Sequence, residues 1–405
     1  AVTMRLDAKG KRLEHQFHGA RIGAAAGGGY EALGAGHDGD PSGQTARMVG
    51  TVIEPRYGAW SALMRAREGR QPLDLDLPER KITLGEDGHV DDVRQRQRLD
   101  AHRVIEEFMI EANVAAAETL EAQKMPCVYR VHDQPDREKL LGLRDFLSSM
   151  GLSFAMGERL RPELFNRILA KAKGSDHWEA VNQSILRSQS QARYDPDNIG
   201  HFGLSRARYA HFTSPIRRYA DLLVHRALIR GGGFGKDGLH DQEAERLAET
   251  AEHISNTERR AMVAERDAND RYLAAFMAEQ TGAEFIARIN GVTRAGLFLS
   301  LADTGADGLL PMRNLHDDYY QVDEAQMALI GERSGTRYRL GDPVAVRLAE
   351  VNTLTGGLIF ELPGVGFETS EGSRGRPRIG RPRKERVKRG SSGKHSKRKG
   401  RRRAK

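Results

Sequence analysis

Cysteine is almost missing from this sequence: Cys127 is the only one in 405 residues. A lone thiol excludes an internal disulfide and any cysteine-based zinc site, and it suits a reducing, cytoplasmic compartment. Long apolar runs are missing too. None approaches the roughly 18 uninterrupted residues of a membrane span, so no membrane partner is expected. The start, Ala1-Val2-Thr3-Met4-Arg5, lacks both an initiating methionine and the shape of a signal peptide, which hints at further sequence upstream.

Charge is plentiful but uneven. Of 64 basic and 56 acidic residues, 17 basic and one acidic (Glu385) fall in 373–405, leaving 47 and 55 in the rest. A body of net negative charge thus carries a strongly basic tail. The tail can gather a polyanion, whereas the body needs a local basic groove to do so. The tail has no aromatic residue to stack on a base and almost no apolar residue from 364 onward, so disorder is expected over 364–405. The plainer alternative is a merely solvating tail.

Hydrophobic periodicity divides the remainder. Residues 5–11 read as a strand running into a turn, 15–22 as a second strand and 30–33 as helical, with a further helical stretch up to Arg70. Leu73-Asp74-Leu75-Asp76-Leu77 alternates like a half-buried strand. Val104, Phe108, Ile110, Val114, Ala115 and Leu120 mark the clearest amphipathic helix, over 98–123. A strand at 128–132, a helix at 137–150 and mostly helix over 160–191 follow. Another helix is expected from about Ser214-Pro215 to the break at Gly231-Gly232-Gly233, and a long charged helix over 242–280. Beyond Thr281-Gly282 short strands alternate with glycine turns, at 284–290, 296–301, 308–311, 343–351 and 357–362, the pattern of a five-stranded OB barrel. The fold class expected is α+β.

The most informative stretch is His201-Phe202-Gly203-Leu204 through Tyr209-Ala210-His211-Phe212-Thr213-Ser214-Pro215-Ile216-Arg217-Arg218-Tyr219 to Asp221 and His225. Ser214 before Pro215 suits an N-cap with proline at the first helical position. Amides there can face an anion. Arg217 and Arg218 in a first turn oppose the helix dipole unless a negative group is present, and a phosphate would supply one. Tyr209, Phe212 and Tyr219 offer aromatic faces to bases. The alternative is an arginine pair bound to carboxylates, with the aromatics in the core.

This stretch resembles the signature of the ribonuclease II/R (RNB) family. Leu99-Asp100-Ala101-His102-Arg103 through Glu107-Phe108 to Asn113-Val114-Ala115-Ala116 is similar to the family's central helix. Tyr129-Arg130-Val131-His132-Asp133, Tyr194-Asp195-Pro196-Asp197-Asn198-Ile199-Gly200, Glu258-Arg259-Arg260 and Ala264-Glu265-Arg266-Asp267 also match. The resemblance covers residues 1 to about 363. It implies a C-terminal part of an RNB catalytic domain (mixed sheet with helices) over 1–280, then an RNA-binding barrel over 281–363. It also implies hydrolysis of single-stranded RNA from its 3′ end to nucleoside 5′-monophosphates, the strand threading into a deep channel, in a monomer. Magnesium held by clustered aspartates would activate water. Arg217 matches the catalytic arginine, whose stabilisation of phosphate charge is worth on the order of 10²–10³ in rate. Glu265 matches a glutamate near the scissile phosphate, and Glu107 one that contacts the terminal nucleotide. Both glutamates are otherwise ordinary solvated helix positions. Ser214, Arg218, Tyr209 and Tyr219 are further RNA-binding candidates.

Two departures stand out. The family's Asp-x-x-x-Phe-Asp-Asp-Ala cluster is absent, since Asp91-Asp92 and Asp317-Asp318 lie in other contexts. The expectation is a C-terminal fragment, inactive alone, with the magnesium ligands upstream and none in this chain. Leu75 stands where relatives carry a stacking phenylalanine. Residues 281–363 resemble the S-one type of RNA-binding domain, with Phe298 and Arg347 as RNA contacts and Tyr319 and Tyr320 as weaker ones. Ala295 and Pro311 replace a usual phenylalanine and histidine there, and Phe298 could instead be a barrel-wall residue. Through the tail, structured RNA or ribosomes are possible partners. The competing reading is a non-catalytic RNA-binding protein that uses the barrel and tail.

Overall fold

The computed structural model describes residues 1–364 except 24–27, 42, 44, 78, 97, 158–159, 176, 317 and 325. The disorder expected over 364–405 therefore lies, but for Gly364, outside the described residues.

Strands β1 (Val2–Leu6) and β2 (Arg12–Phe17) form an antiparallel hairpin, followed by helices α1 (Tyr30–His37) and α2 (Glu54–Arg70). A second hairpin, β3 (Arg80–Leu84) with β4 (Val90–Gln95), precedes the central helix α3 (Asp100–Ala122). The apolar stripe read from the sequence is what buries α3: Val104, Ile110, Val114, Ala115 and Leu120 lie in the interior. Next come β5 (Tyr129–Val131), α4 (Arg137–Ser149), α5 (Pro162–Ala172), α6 (Trp178–Ser188) and β6 (Arg193–Asp195), which pairs back on β5. Asp136 caps α4 by accepting the Glu138 N–H at 2.8 Å. Helix α7 (Tyr219–Gly232) ends at Gly233, whose φ of 63° is the left-handed conformation glycine tolerates. Helices α8 (Asp241–Glu245) and α9 (Leu247–Ala278) complete this part.

The α+β class holds. Within it, the described strands before residue 280 pair as three two-stranded antiparallel ladders, and two isolated bridges add to them, His132 with His201 (parallel) and His201 with Arg206 (antiparallel). Two corrections have local causes. The alternating segment at 73–77 is not a strand. Leu73 and Leu75 pack against the α4–α6 cluster, while the Asp74 and Asp76 N–H groups donate to the side-chain oxygens of Asn166 and Asn182, both at 3.0 Å. Side-chain amides thus stand in for a neighbouring strand. Helix α7 starts at Tyr219, five residues after the expected Ser214 cap, for a reason given below.

The core around α3 draws Ala116 and Leu120 together with Leu223, Val224 and Leu228 of α7, Ala251 of α9 and Val131 of β5. Each large apolar side chain buried there contributes about 1.5–3 kcal/mol. Strands β7 (Glu284–Thr293), β8 (Gly296–Leu301), β9 (Asp307–Pro311), β13 (Pro343–Asn352) and β14 (Gly357–Glu361) close into the expected barrel. Its core includes Leu297, Leu299, Val346 and Phe360, with Ala274 and Met277 of α9 packed in. At Gly296 (φ 141°) a Cβ would meet the Leu310 carbonyl oxygen at 2.2 Å, so β8 and β9 meet only around a glycine. A three-stranded sheet of β10 (Tyr320–Asp323), β11 (Ala328–Gly331) and β12 (Arg337–Arg339), not foreseen from the sequence, is inserted between β9 and β13.

Candidate RNA-binding site

The segment 209–218 lies between α3 and α7 and is fastened to both. Asn113, buried in α3, donates to the Tyr209 hydroxyl at 3.0 Å and accepts the Phe212 N–H at 2.9 Å. His225 of α7 reaches the Phe212 carbonyl at 2.8 Å, and its ring stacks on Phe212 at 4.3 Å. Asp221, at 0% exposure, does the most. Its carboxylate accepts the Ser214 N–H at 2.7 Å and takes Nε and Nη2 of Arg218 at 2.7 and 2.8 Å. Here is why α7 begins late: the Ser214 N–H belongs to Asp221, and 215–217 form a turn, with the Arg217 and Arg218 N–H groups donating to the Ser214 carbonyl. Ser214 is an anchor of the turn and not a helix cap.

The two arginines therefore part company. Arg218 is bound to a buried carboxylate, as the plainer reading had it. Arg217 is exposed, and among the described residues no hydrogen bond or ion pair holds its side chain. It stands on an exposed turn. Ile216 beside it is fully exposed, and Tyr219, the first residue of α7, is 50% exposed. Tyr209 (8% exposed) and Phe212 have no face for a base; both are core residues, Tyr209 packing on Ile110 and Val114.

Glu107 is 2% exposed and so not a solvated helix position. It pairs with Arg67 at 2.7 Å and Arg70 at 3.4 Å, which leaves it no free edge for RNA. One turn on, buried Glu111 pairs with Arg12 and Arg70, both at 3.5 Å, and with Arg206. Glu265 lies on an exposed run of α9, 259–269, and no hydrogen bond or ion pair holds it among the described residues.

Comparison with known proteins places this geometry. The RNB domain model matches residues 1–231, and the S1 RNA binding domain model matches 279–362. The chain belongs to the RNB family. Ribonuclease R of Escherichia coli is 36% identical over 350 residues, 84% of this chain and 42% of that protein. Ribonuclease R 1 of Lactococcus lactis is 40% identical over 301 residues, 74% of this chain and 36% of its own length. The structure of Mycoplasma genitalium RNase R in complex with ribose methylated single-stranded RNA superposes with a TM-score of 0.84 at 24% identity, covering 89% of this chain and 56% of that one. The chain thus spans about two fifths of the length of these curated RNB relatives.

Within this RNB chain the barrel candidates are not brought together. Phe298 is 44% exposed on the outer face of β8, opposite Gly291, while Leu297 and Leu299 point inward. Arg347 is held between Glu284 at 3.2 Å and Glu361 at 3.4 Å. Along β7, the partner positions Glu284 and Gly291 lie roughly 23 Å apart at the rise of an extended chain. Tyr319 is 73% exposed beneath the Arg333 guanidinium at 5.8 Å, and Tyr320 packs against Tyr338. The magnesium that RNB membership implies finds no holder here: among the described residues no three His, Cys, Asp or Glu side chains converge on a point. Asp92 is turned onto Arg94, and the Ser334 hydroxyl together with the N–H groups of Ser334, Arg333 and Tyr319, all donating to Asp318, holds its carboxyl well below the usual range.

Sequence reasoning found the arginine pair but missed Asp221, Asn113 and His225. Two of the three had a visible signal: Asp221 is an acid three residues after an arginine, and Asn113 is a polar residue on the buried face of α3, which it shares with Glu107 and Glu111.

Proposed function

We propose that this chain supplies the RNA-holding part of a 3′→5′ exoribonuclease acting on single-stranded RNA. One observation carries the proposal: Asp221 consumes Arg218 and the Ser214 amide, and in doing so presents Arg217 unpaired on a fixed turn beside Tyr219. A guanidinium so placed can take a phosphate through two N–H donors, and the neighbouring ring can stack a base. Glu265 is proposed to face the same strand from α9, Phe298 to stack a base further along it, and the basic segment 373–405 to hold polyanions without sequence preference. The division at 280/281 and 363/364 belongs to the same proposal.

RNA binding by the intact chain tests this. Anisotropy with a 5′-labelled single-stranded RNA is expected to show binding that weakens about tenfold in Arg217→Ala, with the salt slope reduced by about one. Unchanged affinity and slope would refute the role of Arg217. A second reading, a non-catalytic RNA-binding member that uses the barrel and the basic segment, draws on the exposed ring of Phe298 and the basic residues of 373–405. Isolated, the chain is expected to bind labelled RNA in magnesium without releasing mononucleotides; release would sink that reading.

A further inference from the structure

The barrel meets α6 in an uneven contact. At one end a Cβ on Gly341 (φ 90°) would lie 2.8 Å from the Ala180 Cβ, and at the other a Cβ on Gly305 (φ 67°) would lie 2.6 Å from Nε of Arg80. Two glycines thus let the surfaces close with no room for a methyl group. Between these contacts lies a cavity of about 210 Å³. Protein interiors leave few voids larger than a water, so a gap of this size inside a tightly closed contact calls for an occupant.

Much of the lining is apolar: Leu77, Ala180, Leu186, Ile289, Leu301 and Leu340. The charged groups around it are already matched. Arg80 pairs with Asp307 at 3.0 Å, and Asp307 also accepts the Asn290 side-chain amide at 3.0 Å. Arg288 pairs with Glu179 at 3.2 Å and donates to the Gly341 carbonyl at 3.3 Å. The Ser300 hydroxyl donates to the Gly305 carbonyl at 3.2 Å. Gln183 of α6 is the exception: among the described residues no hydrogen bond holds its side-chain amide.

These pairings select the ligand. An ion entering the cavity would lose its water and find no counter-charge left for it. A trapped water needs roughly two to four polar partners, and Gln183 is the one uncommitted side chain on the wall. Apolar cavities of about 150 Å³ stay dry and take up a single ring. The Gln183 amide offers such a ring one donor side and one acceptor side.

We propose that this cavity is a site for a small neutral ring compound, one aromatic ring whose amide-like edge pairs with Gln183. Pockets of this kind, apolar with a single placed polar group, recur at domain junctions. The ring would touch α6 and β8 at once and so tie the barrel to α6. Arg217, Glu265 and Phe298 lie outside the lining, so the site is independent of the RNA-handling reading.

Benzamide tests this on the intact chain, with benzoate and benzamidine as charged counterparts of the same size. Binding is read by ligand-observed nuclear magnetic resonance and located by hydrogen exchange with mass spectrometry. Benzamide is expected to bind saturably and to slow exchange in the peptides of α6 and β8. The two charged probes should bind about tenfold more weakly, having no partner in the cavity. Gln183→Leu, which keeps the side-chain volume, should weaken benzamide several-fold and leave toluene binding unchanged. Gln183→Phe fills the cavity and should abolish both; if it fails to fold, the leucine variant and the charged probes decide. No saturable benzamide binding, equal binding of all three probes, protection that spares α6 and β8, or wild-type benzamide affinity in Gln183→Leu would each overturn the site.

Discussion

Replacing Asp221 by leucine should unfasten the signature turn, and the cost can be worked from its partners. The carboxylate is fully buried and accepts three hydrogen bonds, two of them from the Arg218 guanidinium, whose side chain is only 22% exposed. Leucine keeps the volume and removes the charge. Arg218 is then left largely desolvated with no counter-charge, a loss of about 3–5 kcal/mol for a buried pair, toward the lower end here because water reaches part of the guanidinium. The double variant Arg218→Met/Asp221→Leu removes both charges. It leaves only the Ser214 N–H without its acceptor, at about 1–2 kcal/mol. The double variant should therefore be more stable than the single one by about 2 kcal/mol, the difference assigned to the stranded cation. Urea denaturation followed by circular dichroism measures both. If Asp221→Leu costs under 1 kcal/mol, or the double variant is no more stable than the single, the pair does not organise the turn.

The remaining predictions concern titration, the barrel and the tail. His201 and His211 are driven down by burial, to about 3 and about 2, and His132 and His225 are lowered for the same main reason. Each folded value lies below the unfolded 6.5, so the stability held by the neutral rings is complete above pH 6.5 and is lost as pH falls below it. For His201 and His211 the slope approaches about 1.4 kcal/mol each per pH unit well below pH 6.5; a melting temperature that does not fall between pH 7 and pH 5 would contradict the burial of these rings. Phe298→Ala should leave the melting temperature unchanged and cost RNA affinity about 1–3 kcal/mol, read by anisotropy. Arg347→Ala, at a partly exposed ion pair, should change stability by under about 1 kcal/mol in the same urea assay and leave RNA affinity alone. Deleting 373–405 should flatten the salt dependence of RNA binding by several units of slope, since phosphate-neutralising cations set that slope.

Local patterns were legible and long-range pairings were not. The stripe on α3 and the alternation along the barrel strands read directly because each residue's environment follows from its period. The segment 73–77 shows the same alternation, yet its amides go to Asn166 and Asn182, some 90 to 110 positions away, and no local pattern reports that. Strands β10 to β12, of three or four residues, are too short for a period to emerge. At the site, the sequence displayed Arg217-Arg218 as equals; only Asp221 separates the structural one from the exposed one. Glu107 is the converse case. It resembles a substrate contact, and α2 delivers Arg67 and Arg70 onto it.

The exposed turn at 215–217 is proposed to meet an RNA strand near its 3′ end. Photo-crosslinking tests this directly: a single-stranded RNA carrying 4-thiouridine at its 3′ terminus is irradiated with the intact chain, and the adducts are mapped by mass spectrometry. Adducts on the peptide that spans Ile216 to Tyr219 are predicted. Adducts confined to the barrel or to 373–405, with that peptide unmodified, would contradict it.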